Sequence, residues 1–270
     1  MRMGISLGLQ QRGGGGFSPA SLFAAGEAGD WFDPSDLSKM WQDTAGTTPI
    51  TADSQTVARI DGQEGVVSLR QVTAASRPQY KTSGGLHWLQ FDGTDDGLDS
   101  AAVLNLTGVD AVTALAAARK QAVDSGISCI FSHGFAWNSA AQSFDMFAPD
   151  NAYSATAEFF VMGTAQSAAR TTSASYNSPY TGVFTGLADI SNPVTTLRVS
   201  GTQVATSAAT LGTGNFGSKT LRLGRRGDGS STLWPFEGRV YLFVVRGALT
   251  SGADLTALET YAGAKAGLTI

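Results

Sequence analysis

From Leu86 to Val245 the chain is divided into short runs rich in apolar and aromatic residues, separated by segments that contain glycine, aspartate, serine or threonine. That punctuation constrains the fold more than any other feature. A chain broken this often must pair many short strands, and it buries them by closing sheets on each other as a sandwich, jelly roll or barrel. The runs are Leu86–Phe91, Val112–Arg119, Ile127–Phe131, Ser143–Phe147, Glu158–Met162, Thr181–Leu187, Thr195–Val199, Gln203–Thr206, Leu221–Leu223 and Phe236–Val245. Alanine-rich Val112–Ala118 would also suit a helix, but its place in the series reads as strand. Ser200-Gly201 joins two runs as a hairpin turn, because glycine tolerates the left-handed backbone of a two-residue loop. The expectation is an all-β, antiparallel two-sheet jelly roll over residues 30–270.

Two segments depart from this rhythm. Near the C-terminus, Ser251 and Asp254 have capping-box spacing, and Leu255, Leu258 and Tyr261 recur every three residues until Gly267. This predicts one short closing helix. Strict alternation before it places Val240, Leu242 and Val244 on one face, with Leu255 and Leu258 packing near the sandwich edge. At the front, Asp30–Trp41 predicts a helical turn, since Pro34 follows Asp33 and Leu37, Met40 and Trp41 lie one turn apart. Residues 44–54 read as loop, and Val66–Val72 carries a weak strand signal.

Residues 1–29 read as a Gly-rich arm, in which Gly13–Gly16 separate Ile5, Leu7 and Leu9 from Phe17, Leu22 and Phe23. That is too little apolar surface to fold alone and too much to leave in water. The arm is expected to anchor the chain on a partner through Ile5, Leu7, Leu9 and Phe17, the first three alternating as a strand added to the partner's sheet edge. The rival expectation is that it packs back on its own domain.

Composition narrows the setting. Charged residues are 15%, there are 33 glycines, and the formal net charge is -4, which excludes coiled coils and basic nucleic-acid binders. The longest clean apolar run is Val240–Val245, too short for a helical membrane span. Met1–Gln11 lacks the apolar core of a signal peptide, so the expected route is assembly in the cytoplasm. Cys129 is the single cysteine, so no intrachain disulfide forms, and its apolar surroundings suit a buried small side chain.

Three stretches together resemble the concanavalin A-like, laminin-G-like jelly-roll domains frequent in phage structural proteins. They are Asp30–Asp43, Arg77–Leu98 with its Phe91-Asp92-Gly93 turn, and Leu221–Leu268 with its Phe236-Glu237-Gly238 strand and closing helix. The resemblance implies two packed sheets with a face that often holds sugar. It does not imply any one function by itself. Together with the missing signal peptide, the low charge and the Gly-rich arm it leads to the expectation of a virion-associated structural protein of fibre, spike or decoration type, with other virion proteins as partners and a homo-oligomeric state. Displayed outward, such a domain would attach to host-surface glycan. A glycan-degrading hydrolase of the same fold and an inert assembly module are the alternatives.

The expected ligand-binding residues are His133, Phe135, Trp137 and Asn138 in one aromatic loop, with Trp234 in another, because ring faces beside an amide suit the C–H faces and hydroxyl edges of sugars. His87 is expected to pack or hydrogen-bond locally. No catalytic residue is expected, since none of Glu27, Glu64, Glu158, Glu237 and Glu259 belongs to a paired-carboxylate arrangement on one strand. Asp92, Asp95, Asp96 and Asp99 crowd one turn but lack a calcium loop's bidentate glutamate, so they read as a capped turn with no metal and no cofactor. Arg226-Gly227-Asp228 spells an adhesion tripeptide inside what reads as an ordinary hairpin turn.

Overall fold

A computed structural model describes residues 16–122, 127–134, 141–149, 157–170, 176–227 and 232–270. Two antiparallel sheets hold most of the strand residues, as expected. The eight-stranded sheet runs, in spatial order, Thr202–Ser207, Val194–Val199, Tyr180–Asp189, Ala111–Lys120, Glu237–Arg246, Leu86–Asp92 and Gln79–Ser83, with Gly29–Phe32 also paired to Glu237–Arg246. The nine-stranded sheet runs Gln166–Arg170, Glu158–Met162, Ser143–Phe147, Cys129–His133, Leu221–Leu223, Leu98–Ser100, Ser68–Arg70, Arg59–Asp61 and Met40–Trp41. The chain passes repeatedly between the sheets, which is jelly-roll connectivity.

The core lies between them. Phe131 of the nine-stranded sheet meets Phe243 of the other with ring centroids 4.9 Å apart, and Phe32 stacks on Phe243 at 5.8 Å. Ala116 stands in register between Phe184 and Phe243, so a small side chain makes room for two rings.

The eight-stranded sheet has a second apolar face, covered from outside. Helix α1, Gly252–Lys265, lays Leu258 and Ala262 on Leu115, Ala117, Val183, Leu242 and Val244. Its position is pinned by Arg198, whose Nε and a terminal nitrogen each donate to Glu259 at 2.9 Å, and by Lys265, 2.6 Å from Asp33. The helix therefore covers a sheet face, not the sandwich edge expected for Leu255 and Leu258. Nor does the predicted capping box form: Ser251 is extended and its side chain caps nothing.

A β-bulge between Val240 and Leu242 corrects the expected facing of the last strand. Val240, Phe243 and Val245 join the inter-sheet core, whereas Tyr241, Leu242 and Val244 join the outer layer. One inserted residue shifts the alternation, so Val240 does not share a face with Leu242 and Val244.

The front of the chain also differs from expectation. Trp31 and Phe32 are strand residues, only Leu37–Lys39 turns helically, and Met40–Trp41 is strand again. Buried Asp30 organises this region: Oδ1 accepts from the backbone N–H of Trp31 and Glu64 (2.9 Å each), and Oδ2 from Val66 (2.8 Å) and Val67 (3.0 Å). The residue 62–67 turn wraps so tightly that a Cβ on Gly62 would overlap this carboxylate.

Within the expected arm, residues 17–23 belong to the body. Phe17 meets Tyr261 edge-on at 6.1 Å, Pro19–Phe23 forms a 3-10 turn, and Leu22 and Phe23 are buried in the outer layer. Arg246 ties the segment down, donating to the Leu22 carbonyl (2.8 Å) and to Glu27 (2.6 Å). Phe17 thus packs on its own domain, as the rival expectation for this part of the arm has it. Ile5, Leu7 and Leu9 lie outside the described residues.

Candidate functional site

The outward face of the nine-stranded sheet follows from alternation. Ile60, Leu69, Leu98, Leu221 and Leu223 are fully buried in the core, so Arg59, Asp61, Ser68, Arg70, Asp99 and Arg222 point the other way. Register then aligns one residue from each strand into a single row: Trp41, Arg59, Arg70, Asp99, Arg222, Ser132, Asp145, Phe160 and Ala168. Six of its nine members are polar or charged. A sheet face built this way is meant neither for a core nor for a helix.

Half of the row is covered by the chain itself. Arg226 lies against Asp145 at 3.1 Å with both side chains fully buried, and Trp234 lies over the guanidinium at 4.3 Å. Trp234 also meets Phe147 edge-on at 5.5 Å and packs with Cys129 and Phe160 in a small apolar cluster. The segment entering and leaving the Arg226–Leu233 hairpin thus seals the outer surface of three strands.

The other half is open. Lys39, Arg59, Arg70, Asp61, Val66, Ser68, Ala101 and Ala102 line a cavity of about 330 Å³, at the small end of the ~300–1,000 Å³ typical of ligand pockets. Arg59 forms a fork with Asp61, Nε to Oδ1 at 2.6 Å and the terminal nitrogen to Oδ2 at 2.8 Å. That pairing holds the Arg59 pKa above its ordinary value. Asp99, opposite Arg70 in register, is drawn instead to Arg225 (3.1 Å) and Arg222 (3.7 Å). Arg70 is left with the Ser68 hydroxyl at 3.1 Å, and neither it nor Lys39 forms an ion pair among the described residues. Val66, 54% exposed, supplies an apolar wall beside Ala101 and Ala102. The cavity therefore combines cations, the Asp61 carboxylate and methyl groups in its lining.

The residues expected to bind ligand are placed elsewhere. His133 is fully buried, stacked on Phe144 at 4.9 Å with Nε2 3.1 Å from the Leu104 carbonyl, and burial pushes its pKa down to about 4. It is a neutral core ring, not a surface ligand. Phe135, Trp137 and Asn138 lie outside the described residues. Trp234 is committed to Arg226 and Phe147, with its backbone at φ 55°. His87 hydrogen-bonds locally, its Nδ1 2.7 Å from the Tyr80 hydroxyl. Cys129 is buried, and burial pushes its thiol pKa up. Arg226, the first residue of the adhesion tripeptide, is fully buried, and Asp228 lies outside the described residues.

At the acidic turn, Asp92, Asp95 and Asp96 present oxygens within 4.8 Å of one another, while Asp99 turns away to its arginines. Asp92 Oδ1 accepts from the N–H of Thr94 (2.8 Å), Asp95 (3.3 Å) and Asp96 (3.4 Å), the hydrogen bonding of a capped turn. Asp96 accepts from the Asp92 N–H, and burial beside Asp92 raises its pKa to about 7.

The two packed antiparallel sheets, their connectivity and the outer helix define a concanavalin A-like jelly roll. No family model matches the chain, and no curated protein does. Among solved structures, a Trypanosoma rangeli sialidase in complex with 2,3-difluorosialic acid is similar over 87% of this chain and 33% of its own, at 13% identity and TM-score 0.55. The chain thus spans a third of that enzyme's length. The SAP-like pentraxin of Limulus polyphemus is similar over 64% of this chain and 80% of its own (14% identity, TM-score 0.49). A CBM40 domain of a Ruminococcus gnavus IT-sialidase, bound to α2,3-sialyllactose, covers 56% and 83% (16% identity, TM-score 0.44).

Proposed function

We propose that the chain is a lectin-like module that binds glycan, without hydrolysing it, on the uncovered half of the outer face of its nine-stranded sheet. The observation that carries this reading is the cavity at Arg59–Arg70. It is open, it combines polar hydrogen-bonding groups with methyl-lined walls, and it lies on a sheet face where the rest of the surface has been sealed by the chain. Sugars present C–H faces and polar edges together, which is the complement of such a wall. The two carboxylates of this half, Asp61 and Asp99, are each held by arginines, an arrangement that favours binding over acid–base work.

The setting we propose is a virion, where the module would serve attachment. What supports it is the resemblance of Asp30–Asp43, Arg77–Leu98 and Leu221–Leu268 to phage structural jelly rolls, and an apolar, Gly-rich segment ahead of Phe17 suited to anchoring. A glycan array probed with the full chain and with Ala101→Trp, which fills the cavity, tests the binding claim. Signals lost in the variant without a change in melting support it. A blank array, or signals indifferent to the variant, would overturn it, and release of reducing ends from a bound glycan would make the protein an enzyme. Removing residues 1–16 should leave the domain folded but absent from assembled particles.

A further inference from the structure

We infer that the sugar held in the Arg59–Arg70 cavity carries an anionic group, a carboxylate or a sulfate ester, received at Arg70, with Lys39 lining the same cavity, while its C–H face rests on Val66, Ala101 and Ala102. This rests on the glycan-binding reading and specifies its ligand.

Charge arrangement is the first argument. Arg59 and Arg70 stand directly opposite each other on adjacent strands, a placement that like charges disfavour. Asp61 compensates Arg59 through its fork, and Asp99 compensates Arg222 and Arg225. Arg70 has no such relief, although Asp99 is its register partner. In a chain whose formal net charge is -4, this gathering of cations around one cavity does not follow from composition. An anion at Arg70, with Lys39 lining the same cavity, would supply the counter-charge that Arg70 lacks, and Arg70 can offer a planar pair of N–H donors to a carboxylate or sulfate.

Size and surroundings select the ligand class. Asp99 interrupts the cationic row, and Asp61, beside Arg59, lines the same cavity, so a polyanionic backbone lying across it would meet carboxylates, whereas a single anionic group seated at Arg70 would not. The exposed Val66 side chain and the two alanines favour a ligand with an apolar face over a bare inorganic ion. Uronates and sulfated sugars combine both features.

The test is isothermal titration of the full chain with a panel of uronate, sialyl and sulfated oligosaccharides, their neutral counterparts, and inorganic sulfate. The variants are Arg70→Gln, Arg70→Lys and Ala101→Trp, each checked for unchanged melting. At least one acidic saccharide should bind, its neutral counterpart at least about tenfold more weakly. Arg70→Gln should lower that affinity by about tenfold or more, Arg70→Lys should restore part of it, and added salt should weaken it. Equal binding of neutral counterparts, or acidic binding lost in Ala101→Trp but unchanged in Arg70→Gln, would overturn the anion inference and leave the glycan reading standing. Inorganic sulfate binding as tightly as any saccharide would also overturn it. If no saccharide binds, or none responds to Ala101→Trp, both readings fail.

Discussion

The two outer faces of this sandwich solve the same problem in opposite ways. On the eight-stranded sheet the outer face is apolar, and α1 with the Pro19–Phe23 turn covers it with Leu22, Phe23, Leu258 and Ala262. On the nine-stranded sheet the outer face carries a row of charges. One half of that row is sealed by Arg226 and Trp234, and the other is left to solvent as a lined cavity. The difference shows what covering costs: an apolar face is covered by burial alone, but a charged face is covered only if every charge is met by a partner. Asp145 has one in Arg226, whereas Arg70 does not.

The largest effect should come from uncovering the apolar face. Truncation before Ser251 removes α1 and bares Leu115, Leu242 and Val244; the expected outcome is insoluble protein or loss of the cooperative transition, read by thermal melting and sedimentation. A monodisperse truncated protein with unchanged melting would mean that the helix is dispensable. Next is the sealed half: Arg226→Ala leaves Asp145 without its buried partner and should cost about 3–5 kcal/mol in denaturant unfolding. Of similar size, Leu258→Ala should cost about 2–5 kcal/mol. A loss under roughly 1 kcal/mol for either would show that the layer concerned is looser than its burial indicates.

A smaller, pH-dependent effect belongs to the acidic turn. Asp96 keeps its proton in the folded protein up to about pH 7, while the unfolded chain releases it near the ordinary aspartate value of 3.8. Between those values the unfolded state binds fewer protons, so the Asp96 contribution to stability falls as pH rises and is lost through pH 7. Asp96→Asn removes this titration and keeps an oxygen for the Asp92 N–H. The stability of Asp96→Asn relative to the unsubstituted protein should therefore rise from pH 4 to pH 8, as read by paired melting curves; a constant difference would place the carboxyl in contact with solvent or a cation. The smallest effect is expected in the open half, where Arg70→Gln should change stability by no more than about 0.5 kcal/mol, because among the described residues Arg70 hydrogen-bonds only Ser68.

The sequence is legible where one physical rule acts alone. Ser143–Phe147, Glu158–Met162 and Leu221–Leu223 form as read, since turn residues bound each run closely. Facing was less legible. Ala111–Lys120 and Glu237–Arg246 are buried on both faces, which erases the polar half of the alternation, and the bulge at Tyr241 leaves no composition signal. His133 was misplaced because an aromatic neighbourhood looks the same in a core as in a binding loop until burial is known. The cavity residues were missed because Arg59-Ile60-Asp61 and Ser68-Leu69-Arg70 are strands of minimal length, each with a single apolar residue between two polar ones. That pattern carries the facing correctly, but at Arg59–Asp61 three residues are too few to separate from loop, and at Ser68–Arg70 the weak strand signal of Val66–Val72 marks the strand without marking a site.

The most direct measurement is amide chemical-shift mapping of the full chain during titration with the acidic oligosaccharide that the binding panel selects. Perturbations should cluster at Lys39, Arg59, Ser68, Arg70, Ala101 and Ala102, while amides near Trp234, His133 and α1 stay in place. Shifts centred instead on Trp234 or on residues 135–138, with the Arg59–Arg70 face unmoved, would contradict the assignment of the open half as the binding site.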